Sequence, residues 1–247
     1  MKMTHFVLRL RPLGWIVVAG VVATSCTVQS PLQRLTGQLS AYPEYSILLQ
    51  DMREEGNFFP EYAHRYKLVW GMPSTTDPKE LDFQSEVTDW ERVNKKEYAK
   101  YRDYLGMVVA SKTPEAGVAQ SQFPPGYQYV GDSRYGTWKQ DGRGGSFWEF
   151  YGKYALLSHL FGMGRRAIYR SDWDHYRGSR SAGRPYWGPN REFGTAGSYT
   201  RNSNPTFFQR RLQREQARKA RFSDRVQRKA RRSRMSGFRR RSSGFGK

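Results

Sequence analysis

The chain has a single cysteine, Cys26, among its 247 residues. No disulfide can form within it, so the fold must rest on its core alone, without a covalent staple to restrict the unfolded state. That core cannot be mainly aliphatic. Hydrophobic residues make up 37% of the chain, while Tyr, Trp and Phe alone make up 15%. A core built on such rings buries a large area per residue, and their hydroxyl and indole groups then need polar partners. The residues after Cys26 suffice for one domain with appendages.

An odd cysteine in an exported protein needs a role, either in intermolecular pairing or as a modified or free thiol. The context of Cys26 supplies one. Lys2, Arg9 and Arg11 are followed by an apolar run from Leu13 to Ala23, and Ala23-Thr24-Ser25 lead into Cys26. Charged start, short apolar centre and small-residue exit are the marks of a secretory signal peptide. The apolar run falls short of the roughly 20 residues that a membrane span needs. The stretch Ala23-Thr24-Ser25-Cys26 resembles the lipobox of bacterial lipoproteins, with Ala23 in place of the usual leucine. The resemblance covers residues 1–26 only. It implies cleavage between Ser25 and Cys26, a diacylglycerol on the Cys26 thiol, and anchoring to a bilayer without a spanning helix. Thr27, rather than an aspartate, follows the cysteine, which by the same resemblance favours the outer membrane in a host that has one. An ordinary cleaved signal peptide and an uncleaved N-terminal anchor remain as alternatives.

The formal net charge of +20 is unevenly placed. Residues 27–122 carry 14 acidic and 11 basic side chains, and residues 123–200 carry 6 and 11. Residues 201–247 carry 2 acidic and 17 basic side chains. The basicity belongs to a C-terminal arm, the pattern of an interaction segment rather than of a basic globular body.

Residues 26–43 are polar with two prolines and predict a lipid-proximal tether containing one helical turn. An aromatic-rich domain is expected over residues 44–164. Glu44–Met52 predicts a strand. In Glu61–Trp70, Tyr62, His64, Tyr66, Leu68 and Trp70 alternate with Arg65 and Lys67, the period of a half-buried strand. The turn at Gly56-Asn57 pairs the two as a hairpin. Thr88 and Glu91 form a capping-box pattern for a helix that Gly106 ends, and Met107–Ala110 predicts a buried strand. Tyr127–Val130 predicts a further strand. Ser146 and Glu149 form a second capping-box pattern, for a helix to Phe161 that is apolar over most of its circumference. Such a helix is buried, or else lies in a membrane interface. Residues 165–204 mix Arg, Gly, Ser and Tyr without period and predict a loop region anchored by Trp173, Tyr176, Tyr186 and Trp187. Asn204 as N-cap and Pro205 at the first helical position open a basic helix over 205–235, in which Phe208, Leu212, Phe222 and Val226 share a stripe. Residues 236–247 predict a disordered basic tail. The class is α+β: a small antiparallel sheet packed with aromatic-rich helices, then the Arg/Gly/Tyr-rich loop region and the long basic helix.

Motifs for chemistry are weak. There is no Walker loop, HExxH or GxSxG. His64 and His159 read as structural histidines. Asp172, Asp174 and His175 are the tightest grouping of metal-competent residues, but their spacing matches no known ligand motif. No metal, cofactor or catalytic residue is expected, and the chain reads as non-enzymatic.

The strong signal is the arm. Its anion-binding candidates are Arg210, Arg211, Arg214, Arg218, Lys219, Arg221, Arg225, Arg228, Lys229, Arg231, Arg232 and Arg234. Arg239, Arg240 and Arg241 continue the series toward the C-terminus. Such a run binds polyanions, with an affinity that falls as salt rises. For an exported, lipid-anchored protein the expected partners are the bilayer held by acylated Cys26, anionic lipids, lipopolysaccharide or wall polymers, or an acidic protein. The alternatives are a nucleic-acid-binding protein using the Arg-rich tail, and an envelope enzyme acting on wall or lipid substrates.

Overall fold

The computed structural model describes residues 29–56, 59–163 and 166–239. Cys26, the segment expected to be a signal peptide and residues 240–247, including Arg240 and Arg241, lie outside them.

The expected tether carries structure. Ser30 caps a helix, α1 (Pro31–Gln38), in a capping box with Gln33 and with proline in the first turn. Leu32 and Leu35 are buried, and so is Leu39 just beyond it, which makes this segment part of a core.

Strands β1 (Glu44–Glu55) and β2 (Glu61–Pro73) form the expected antiparallel hairpin, with Ile47 opposite Leu68. An extra residue between Leu49 and Asp51 shifts the register. This bulge lets Leu49 and Met52 share one buried face despite their odd spacing. Next along the chain come β3 (Leu81–Val87) and β4 (Glu91–Val93), both paired with β2.

The helix expected from Thr88 starts later. The Thr88 hydroxyl accepts from the Tyr66 amide and donates to the Asp89 carbonyl, while Glu91 joins β4. Asn94 caps the helix instead, accepting from the Glu97 amide, and α2 runs over Lys95–Tyr101. Strands β5 (Val108–Thr113) and β6 (Gly117–Ala119) complete a six-stranded sheet ordered β3-β2-β1-β5-β6, with β4 also on β2.

The sheet is covered on both faces, so β1 is buried continuously from Glu44 to Leu49. On one face Tyr45, Ile47, Leu49, Tyr66 and Leu68 pack with Leu32, Leu35, Tyr101 and Phe207. On the other, Leu48, Val69 and Val108 meet an aromatic cluster that includes Tyr127, Tyr129, Tyr135, Trp148 and Phe161.

Three expectations in that second layer differ. Tyr127–Tyr129 is a 3-10 turn rather than a strand, begun by Gly126 at positive φ. Ser146 does not start a helix to Phe161. Residues Gly136–Gln140 (β7) and Ser146–Phe150 (β8) form a hairpin with Trp138 opposite Trp148, a 3-10 turn follows, and α3 covers only Leu156–Leu160. Over so few residues an aromatic-rich strand reads much like a buried helix. The loop region over 165–204 contains α4 (Arg170–Ser181) and α5 (Ser198–Ser203). Its expected anchors do pack: Tyr176 and Tyr186 are buried, Trp173 lies against the aromatic cluster, and Trp187 stacks on Tyr104 at 5.0 Å. Finally, α6 (Pro205–Arg239) is a 35-residue helix that continues past the expected end, so residues 236–239 are helical rather than disordered tail. The architecture is α+β.

Candidate functional site

The base of α6 is seated by one ring and three arginines. Phe207 enters the core under the sheet and meets Phe208 edge to face at 5.0 Å. Arg210 pairs with Asp51 at 2.6 Å; Arg214 and Arg218 share Glu54, at 2.6 and 3.0 Å. Arg214 also donates to the Gly56 carbonyl at 3.3 Å. The spacing of four places these three cations on one side of the helix. The carboxylates stand at the end of β1, beyond the bulge. Trp90, brought alongside by β4, is covered by the guanidiniums of Arg53 at 4.5 Å and Arg210 at 5.8 Å. A groove of about 560 Å³ runs between the helix base and β1, with Met52, Tyr98 and Phe207 among its walls.

Beyond Arg218 the helix leaves the body. Lys219, Arg221, Arg225, Arg228, Lys229, Arg231 and Arg232 are all exposed, and among the described residues none pairs with a carboxylate. The candidate series is therefore divided. Arg210, Arg214 and Arg218 are engaged internally, Arg211 pairs with Glu215 of its own helix at 3.4 Å, and the cations from Lys219 to Arg232 face solvent. Arg234 and Arg239 lie within the helical backbone. The cations are legible in the sequence but their partition is not, since nothing local marks Asp51 and Glu54 as partners for residues some 160 positions away.

The other candidates are not brought together. Asp172, Asp174 and His175 lie on α4. Burial pushes the Asp172 carboxyl up, Asp174 faces Arg170 at 3.9 Å, and His175 is exposed. Among the described residues no three His, Cys, Asp or Glu side chains form a metal-holding group. His159 is exposed on α3. The Gly-rich stretch at 142–145 is the β7–β8 turn, where Asp141 accepts from the amides of Arg143 and Gly145.

Among the buried carboxylate and imidazole side chains of the described residues, His64 and Glu44 are the least exposed. The His64 Nδ1 is 2.9 Å from the Tyr66 hydroxyl, its ring stacks on Tyr98 at 5.5 Å, and burial lowers its pKa to about 4. Glu44, 1% exposed, accepts from the Tyr135 hydroxyl at 2.7 Å and meets Arg134 at 3.1 Å. Burial outweighs the Arg134 guanidinium there and pushes the carboxyl up. Both sit within packed layers rather than at the mouth of a cavity, so their geometry is that of core polar groups.

Among the described residues no helix is long and apolar enough to cross a membrane. Comparison with known proteins found no match: no family model, no curated protein and no solved structure.

Proposed function

We propose that the protein is an exported, lipid-anchored protein of the bacterial cell envelope, non-enzymatic, whose C-terminal helix binds anionic components of that envelope. The observation that carries this reading is the placement of α1 and the base of α6. α1 begins within five residues of Cys26, and its leucines share one core, on one face of the sheet, with Phe207 at the base of α6. The stretch from Cys26 to Ser30 reaches at most ~14 Å when fully extended. A lipid on Cys26 therefore holds that face close to the bilayer, and the cationic helix starts from the same layer. One acyl chain binds marginally, and a second attachment, such as a further chain or a basic patch, is what makes anchoring stable. Each Lys or Arg held near an anionic surface adds roughly 1 kcal/mol.

The test is the mass of the N-terminal peptide from the membrane fraction of the producing cells. The expected peptide begins at Cys26 and carries diacylglycerol, and Cys26→Ser moves the protein out of that fraction. An unprocessed Met1 in the soluble fraction overturns the reading.

A further inference from the structure

We propose that α6 from Leu212 outward lies in the surface of an anionic phospholipid bilayer, with Leu212, Phe222 and Val226 inserted among the acyl chains. This rests on the function proposed above and names the anionic component that the helix binds.

The three side chains are 56%, 68% and 49% exposed, the exposed large apolar residues of α6 among the described side chains. At 100° per residue they fall within a sector about 80° wide. The docking arginines, Arg210, Arg214 and Arg218, fill a second sector of about the same width, and Arg221, Arg225, Arg228 and Arg232 continue it; its centre lies about 120° round the helix from the apolar one. Two parallel stripes result, one apolar and one cationic, and only the near end of the cationic stripe is occupied by the protein's own carboxylates.

An apolar stripe beside a cationic one is the form of a helix that lies in the interfacial plane, its apolar side among the acyl chains and its cations at the phosphates. Lys219 falls within the apolar sector, where a long stem can lie along lipid while the ammonium reaches the headgroups. Glu215 falls there too, and Arg211 neutralises it. The rival occupants fit less well. A soluble polyanion would engage the arginines and leave Phe222 in water. A coiled-coil partner would need a seam every three to four residues, and Glu215 and Lys219 interrupt it between Leu212 and Phe222.

The experiment uses the processed chain, residues 26–247, which contains every described residue, with Cys26→Ser so that no acyl chain contributes. Binding is measured to vesicles of phosphatidylethanolamine with phosphatidylglycerol, to phosphatidylcholine vesicles, and to duplex DNA as a soluble polyanion. The parent is expected to bind the anionic vesicles and retain part of that binding at high salt. Phe222→Ser with Val226→Ser is expected to weaken vesicle binding by about tenfold or more, from the lost apolar burial, and to leave DNA binding and thermal stability unchanged. Vesicle binding equal to the parent's, or DNA binding reduced in parallel, overturns the insertion while leaving an electrostatic arm intact. A parent that binds neither vesicles nor DNA overturns the anion-binding reading beneath it as well.

Discussion

Glu54 holds two arginines of α6 with one carboxylate, so Glu54→Gln tests what keeps the basic helix seated. The variant removes a charge and little volume. Glu54 and Arg214 are about one quarter exposed and Arg218 is 61% exposed, so solvent screens both pairs. Pairs of this kind contribute about 0.2–1 kcal/mol each, which makes roughly 1 kcal/mol for the two together, or a factor of about five in an opening equilibrium. Phe207, 7% exposed in the core, sets a contrasting scale: Phe207→Ala is expected to cost about 3–5 kcal/mol. Hydrogen exchange at the α6 amides over residues 206–218 separates the two. At low salt Glu54→Gln should speed their exchange about fivefold while the amides of β1 and β2 keep their protection. In 1 M salt, where the screening length is about 3 Å, parent and variant should converge, because the ion pairs are screened in both. The effect of Phe207→Ala should persist, since apolar burial is not screened. Exchange in Glu54→Gln as slow as in the parent at low salt, or an acceleration that high salt leaves intact, refutes electrostatic seating.

Two further outcomes follow from the core. His64 has its pKa lowered by burial to about 4, against about 6.5 when unfolded. The unfolded chain therefore binds the proton first as pH falls, and the stability present above about pH 6.5 is lost by up to ~3 kcal/mol as pH drops toward 4. Chemical denaturation across that range should show the slope in the parent and a flatter one in His64→Phe, and an unchanged slope there removes His64 as the cause. Gly131 has φ of +85°, and a Cβ on it would meet the Trp173 ring at 2.2 Å. Gly131→Ala combines left-handed strain with overpacking and should cost about 2–4 kcal/mol, lowering Tm by roughly 5–15 °C; a Tm within two degrees or so of the parent's would mean that the Trp173 contact yields freely.

Some features were legible because their causes are local. The hairpin of β1 and β2 follows from period-2 alternation in 61–70 and the Gly56-Asn57 pair between the two runs, of which Asn57 lies outside the described residues. The start of α6 follows from Asn204-Pro205, and its cationic character can be counted directly. Misread elements had ambiguous local signals. Thr88 and Glu91 have capping-box spacing, yet pairing with β2 claims Glu91 and passes the cap to Asn94. The apolar run 146–150 is a strand because Trp138 stands opposite Trp148 to receive it. α4 has few apolar residues to mark its period, and Tyr176 alone carries its burial.

Composition and order along the chain determined that no internal disulfide supports the fold, that its core is aromatic, and that positive charge gathers at the C-terminus. These are properties of residue identity and need no neighbours. Only the tertiary structure decided which cations are free. Asp51 and Glu54 lie about 160 positions before their arginines, and the bulge in β1 and the seat of Phe207 bring them together. The same packing puts α1 and the base of α6 on one face of the sheet. Long-range pairing of this kind depends on how layers stack, which no local pattern encodes.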